Sequence, residues 1–224
     1  MLIEPAMKAK EQGVGLTALA LGHRNGNVLV VGREIAAVAD LRGKAFAVPH
    51  RSSSHYLLLR AALERADIPA SEVRIVELPP PEMPSALASG RIAGYCVAEP
   101  FGAIAVRGGY GRILFQSDEL WPDSICCALV ANDAFLARRP EAAQKLLTAY
   151  HRAGERLGNK AAALTSARAL LKQPDDVLTL SLEWISYSDL GLTRPAYEDL
   201  CGKMIRYGIA EHPPAYADFV RAGK

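Results

Sequence analysis

The chain has 224 residues, enough for one large domain or two small ones. Half of the residues are hydrophobic and 22% are charged with both signs mixed, which excludes a disordered chain. A net charge of +2 without a Lys/Arg-rich run argues against a nucleic-acid or membrane-surface protein.

The opening segment MLIEPAMKAKEQG has no basic leader followed by an apolar core, so the sequence as it stands predicts a cytoplasmic chain. No stretch reaches the roughly 20 apolar residues of a membrane span. LTALALG (16–22) and NVLVVG (27–32) read as strands flanking His23-Arg24-Asn25-Gly26, which has the Asn-Gly chemistry of a tight turn. AFAV (45–48) is a short buried strand ended by Pro49. Ser52-Ser53-Ser54 then precedes a long apolar stretch, His55 to Ala66, and reads as a helix N-cap.

Strands are expected at 73–78, 92–97, 112–116 and 124–130, with short helices at 82–89 and 101–106. From Asn132 onward the pattern turns helical. Pro140 starts a helix on which Ala143, Leu146, Leu147, Tyr150 and Leu157 recur at helical spacing, and further helices are expected at 160–172, 175–185 and 195–207. The alternation across 43–130 predicts βαβ units and a mainly parallel sheet. The strands before residue 40 have no crossover helices of their own and look like part of a sheet whose other members are absent.

Few residues point to chemistry. The Ser52–His55 tetrad opens a helix just after a strand, where backbone N–H groups, the helix dipole and hydroxyl donors favour a carboxylate, nitrate, sulfonate or phosphate; plain capping is the competing reading. Glu99 precedes Pro100 at a strand's carboxyl end, where ligands collect in α/β sheets, and either accepts from a ligand or favours a helix start. His23 and Arg24 offer a donor and an anion partner, or merely a solvated turn. Trp121 either lines a pocket or covers an apolar edge. Cys96, Cys126, Cys127 and Cys201 form no C-x-x-C pair and show no zinc spacing, so they read as buried thiols and no metal or cofactor is expected. G-x-S-x-G, H-E-x-x-H, Walker A and G-x-G-x-x-G patterns are all missing, and an enzyme is not expected.

DLRGKAFAV (40–48), LPPPEMPSALASG (78–90), AGYCVAEPF (93–101), DELWPDSICCALV (118–130) and NDAFLARRPE (132–141) follow one another in an order that resembles the type II periplasmic solute-binding proteins of ABC importers. The resemblance is to their nitrate/sulfonate/bicarbonate branch, which includes taurine- and thiamine-precursor-like members. It implies a two-lobed α/β fold. Residues 1–40 form part of the first lobe, 41–127 the second lobe with the ligand-facing helix end, and 128–224 the rest of the first lobe with the C-terminal helices. The lobes close on their ligand. Full-length members carry a signal peptide and a strand–helix–strand–helix stretch, on the order of 60 residues, ahead of the segment that MLIEPA resembles, so the first lobe is expected to be N-terminally truncated.

The function implied is capture of a small anionic solute by Ser52, Ser53, Ser54, His55, Glu99, His23, Arg24 and Trp121. The implied partners are an importer permease and ATPase, and the implied location is periplasmic or lipid-anchored. Two alternatives stand beside it. One is a thiamine-pyrimidine synthase on the same fold, whose fuller cysteine run is broken here by Ala128 and Leu129. The other is a cytoplasmic sensor or decayed remnant, in keeping with the missing leader.

Overall fold

The computed structural model describes residues 1–221 and resolves into two compact units. Unit 1 comprises Met1–Arg24, Asp123–Ala163 and the residues from Ser186 onward; unit 2 comprises Asn25–Pro122 and Leu164–Ile185. This division differs from 1–40, 41–127 and 128–224. Residues 27–32 pair with strands of the middle segment, and residues 164–185 also belong to unit 2, so both depart from the segments assigned to the first lobe.

Unit 1 begins with α1 (Ile3–Glu11), which buries Ile3, Ala6 and Met7 at helical spacing and leaves Lys8 and Lys10 half-buried. Strand β1 (Leu16–Leu21) pairs antiparallel with β8 (Ala128–Asn132), from Leu16 opposite Asn132 to Leu21 opposite Ala128, with an irregularity between Ala18 and Ala20. Asp133 ties this pair to α1, accepting from Thr17 Oγ1 at 2.7 Å and Lys10 Nζ at 3.0 Å. Helices α6 (Asp133–Arg138), α7 (Pro140–Leu157), α10 (Arg194–Arg206) and α11 (Tyr216–Phe219) complete the unit. Tyr197 and Phe219 are fully buried, whereas α7 buries only Ala143 and Gly154 and leaves Leu146 45% exposed. The helix predicted from the apolar spacing after Pro140 is present as α7.

Unit 2 is built on a five-stranded sheet of order β5-β4-β6-β3-β7. The strands are β3 (Asn27–Gly32), β4 (Ala45–Val48), β5 (Arg74–Glu77), β6 (Gly94–Ala98) and β7 (Gly111–Gln116). β5, β4 and β6 run parallel, while β3 runs antiparallel to both β6 and β7. The sheet is therefore mostly parallel with one reversed strand inside it, and β3 has neighbours on both sides instead of an absent partner. Nor do β1 and β3 form a hairpin. Asn25 and Gly26 do adopt the left-handed conformations of an Asn-Gly turn (φ 54° and 70°), but the chain passes there from one unit to the other. Two-residue strands β2 (Arg24–Asn25) and β9 (Ile185–Ser186) mark two of these crossings.

Alternate residues of the strands make each sheet face apolar. Val28, Val30, Ala45, Ala47, Tyr95 and Val97 face a cluster with Met83, Ala86 and Leu87 from α3 (Met83–Ala88) and Ala105 from α4 (Phe101–Arg107). Trp184, at the end of α9 (Asp175–Trp184), packs against the same cluster. α2 (Ser54–Arg65) packs on β6 and on α5 (Ser117–Leu120). α8 (Lys160–Leu170) carries the chain from unit 1 to unit 2. No helix among the described residues is long and apolar enough to cross a membrane.

Candidate functional site

The strand directions gather the polar ends of unit 2. Because β3 alone is reversed, the carboxyl ends of β4, β5, β6 and β7 and the start of β3 share one sheet edge. Open α/β sheets bind ligands at such an edge, since the loops and helix starts after the strands converge there. α2 starts here. Ser53 is its cap, accepting from the Tyr56 N–H at 3.3 Å while its hydroxyl donates to the His50 carbonyl at 2.6 Å. Ser53 therefore takes the capping role, and the helix begins one residue earlier than the expected His55. The turn ahead of it is fixed by Ser52 N–H on His50 Nδ1 (2.9 Å) and Arg51 N–H on Glu77 Oε1 (2.5 Å).

Ser54 and His55 occupy the first turn of α2 and are buried. Four buried side-chain oxygens of unit 2 have no hydrogen-bond partner among the described residues: Asn27 Oδ1, Ser54 Oγ, Glu99 Oε1 and Ser117 Oγ. Asn27 opens β3, Ser54 follows β4, Glu99 follows β6 and Ser117 follows β7, so all four belong to this edge. Buried polar groups are nearly always satisfied, so these four oxygens call for a partner, water or ligand, that the described residues do not supply. Glu99 Oε2 accepts from the Ala103 N–H at 3.2 Å. Burial pushes the Glu99 carboxyl up to about 7, against the opposing pull of the Ala103 N–H and the Ser181 side chain. Asn27, Ser117 and Ser181 escaped sequence reasoning, for which a lone Asn or Ser at a strand end is unremarkable.

Trp121 ends α5 in unit 2 and is 2% exposed. His23 and Arg24 belong to unit 1. Arg24 donates to the carbonyls of Asp189 (2.5 Å) and Gly191 (3.0 Å) and pairs with the Asp189 carboxylate at 3.4 Å, which commits its guanidinium to the 189–191 loop.

Unit 1 holds a second cluster, invisible to local spacing. The pairing of β1 with β8 brings His23, Cys126 and Cys127 together. Cys126 Sγ lies 3.6 Å from Cys127 Sγ. The contact from Cys126 and then His23 draws the Cys127 thiol down to about 5, despite burial. Tyr150 Oη donates to the Leu21 carbonyl beside it at 2.9 Å.

A unit with this sheet order and polar edge, joined to a second unit by repeated chain crossings, is the type II periplasmic-binding-protein fold, the fold of ABC-importer binding proteins. The comparisons narrow the class. The model of the NMT1-like family matches residues 1–171, and the chain belongs to that family. A crystal structure described as the ligand-binding component of an ABC-type import system from Staphylococcus aureus with zinc bound superposes with a TM-score of 0.93 at 35% identity, covering 99% of this chain and 77% of that one. The taurine-binding periplasmic protein of Escherichia coli is 34% identical over 141 residues, which is 61% of this chain and 43% of that protein. The nitrate import ATP-binding protein NrtC of Synechocystis sp. is 32% identical over 121 residues, 47% of this chain and 18% of that protein. The chain thus spans less than half the length of these two curated relatives.

Proposed function

We propose that the chain captures a small oxyanion at the α2 edge of unit 2, as the periplasmic solute-binding component of an ABC importer working with a permease and an ATPase. The observation that carries this reading is the pair of unpartnered buried hydroxyls, Ser54 and Ser117, on one sheet edge beside a helix N-terminus, while Asn27 Oδ1 and Glu99 Oε1 on the same edge accept from a donor group of the solute. First-turn N–H groups and the helix dipole stabilise negative charge. In this reading the Ser54 hydroxyl adds a donor, His55 lies beside it, and Ser52 and Ser53 shape the turn. Glu99 accepts from a donor group on the solute, or donates to it when protonated. Trp121 supports the loop after β7, and Arg24 holds the 189–191 loop without meeting the solute.

The names of the relatives support the same chemistry, since nitrate and the sulfonate of taurine are both small oxyanions. A thermal-shift panel with nitrate, bicarbonate, taurine and alkyl sulfonates tests the proposal. A ligand specific to the folded state stabilises it by about 2.7 kcal/mol at a hundred times its Kd. A rise in Tm with at least one oxyanion, and none with its uncharged analogue, is expected. A flat response across the panel contradicts the proposal.

A further inference from the structure

We propose that His23, Cys126 and Cys127 of unit 1 form a binding site for a soft divalent cation of the zinc type, held by two thiolates and one imidazole with a fourth position open. The three donor atoms all lie within 4.8 Å of one another. Two sulfurs bound to one tetrahedral zinc, each at about 2.3 Å, stand about 3.8 Å apart, and the observed separation is 3.6 Å. Little rearrangement is needed to seat the ion. Neither Cys126 nor Cys127 is in a disulfide.

The backbone around the cluster is fixed before any ion arrives. Gly22 N–H donates to the Cys127 carbonyl at 2.7 Å, and Ile3 N–H to the Cys126 carbonyl at 3.0 Å. Gly22 permits this close approach, since a side chain there would put its Cβ 2.8 Å from Cys127 Cβ. Cys126 is 1% exposed and His23 9%, whereas Cys127 is partly exposed and gives the ion a way in. Thiolate and imidazole donors select zinc-like ions over magnesium or calcium, which prefer oxygen. Three protein ligands leave one coordination position for water or an anionic oxygen.

The test uses the whole chain with its thiols reduced. Zn²⁺ is titrated against a chromophoric chelator, and Co²⁺ is followed by its thiolate charge-transfer absorption. One equivalent of each ion and a thiolate–cobalt band are expected. Cys127→Ser and His23→Gln should each weaken Zn²⁺ by about tenfold or more, and the double variant by about a hundredfold or more. Cys201→Ser should bind as the parent does. His23→Gln and Cys127→Ser are decisive even where Cys126→Ser fails to fold. A cobalt complex without a thiolate band, or a double variant with undiminished zinc affinity, overturns the proposal.

Discussion

The two units assemble polar groups by different routes. In unit 2 each group on the α2 edge comes from the residues immediately around a strand end: Asn27 at the start of β3, Ser54 after β4, Glu99 after β6, Ser117 after β7. In unit 1 the His23–Cys126–Cys127 cluster exists only because β1 pairs with β8, its partner from the distant middle of the chain. The units also differ in packing. The sheet of unit 2 is apolar on both faces, whereas the longest helix of unit 1 buries two of its residues and leaves Leu146 outside. A site written locally can be read from a strand–turn–helix motif; a site written by long-range pairing cannot.

Truncating side chains in each unit breaks or sharpens the packing contrast. Phe46→Ala in β4, fully buried, should cost about 3–5 kcal/mol. Leu146→Ala on α7 should stay within about 0.5 kcal/mol. Denaturant midpoints measured on both variants decide the matter, and equal losses would erase the difference between the units.

Glu99 sets the next effect. Its folded-state pKa is raised above the ordinary value of 4.5 to about 7, so the native state holds a proton that the unfolded chain has released. The associated stability is full below about pH 4.5 and is lost as pH rises through about 7, a loss of up to roughly 3 kcal/mol. Glu99→Gln should therefore match the parent Tm at pH 5 and exceed it by several degrees at pH 8. A variant that tracks the parent across this range would show that the carboxyl does not carry the burial cost.

The neighbouring serines give a smaller and more selective pair. Ser53→Ala removes the cap of α2 and should cost about 1 kcal/mol. Ser54→Ala removes an unpartnered buried hydroxyl and should leave the ligand-free Tm unchanged or slightly higher. Melting curves of the two single variants separate capping from ligand contact, and a reversed order would exchange the roles assigned to them.

Much of the fold is legible in the sequence because apolar runs bounded by Gly, Pro and Ser mark the elements directly. AFAV, the Ser-capped α2 and the Pro140 start of α7 all stand where such signals place them. The strand expected over 124–130 starts at Ala128, and Cys127 just before it forms an isolated antiparallel bridge with Leu2. The unit boundaries and the reversed β3 depend on which strands pair, and hydrophobic periodicity carries no information about partners. The same reason hides the cysteine cluster, because His23 stands at no motif-like distance from Cys126. The raised pKa of Glu99 is hidden too, for it depends on burial in the folded unit, and the Ser181 side chain that opposes the shift belongs to the distant α9.

Oxyanion capture at the α2 edge is tested most directly by isothermal titration of the parent and Ser54→Ala with nitrate, bicarbonate and taurine. The expected result is 1:1 binding of one of these by the parent, weakened about tenfold or more in Ser54→Ala, since a lost hydrogen bond to a charged group is worth about 1.5–3 kcal/mol. Equal affinity in the two proteins would place the anion elsewhere and contradict the role given to this edge.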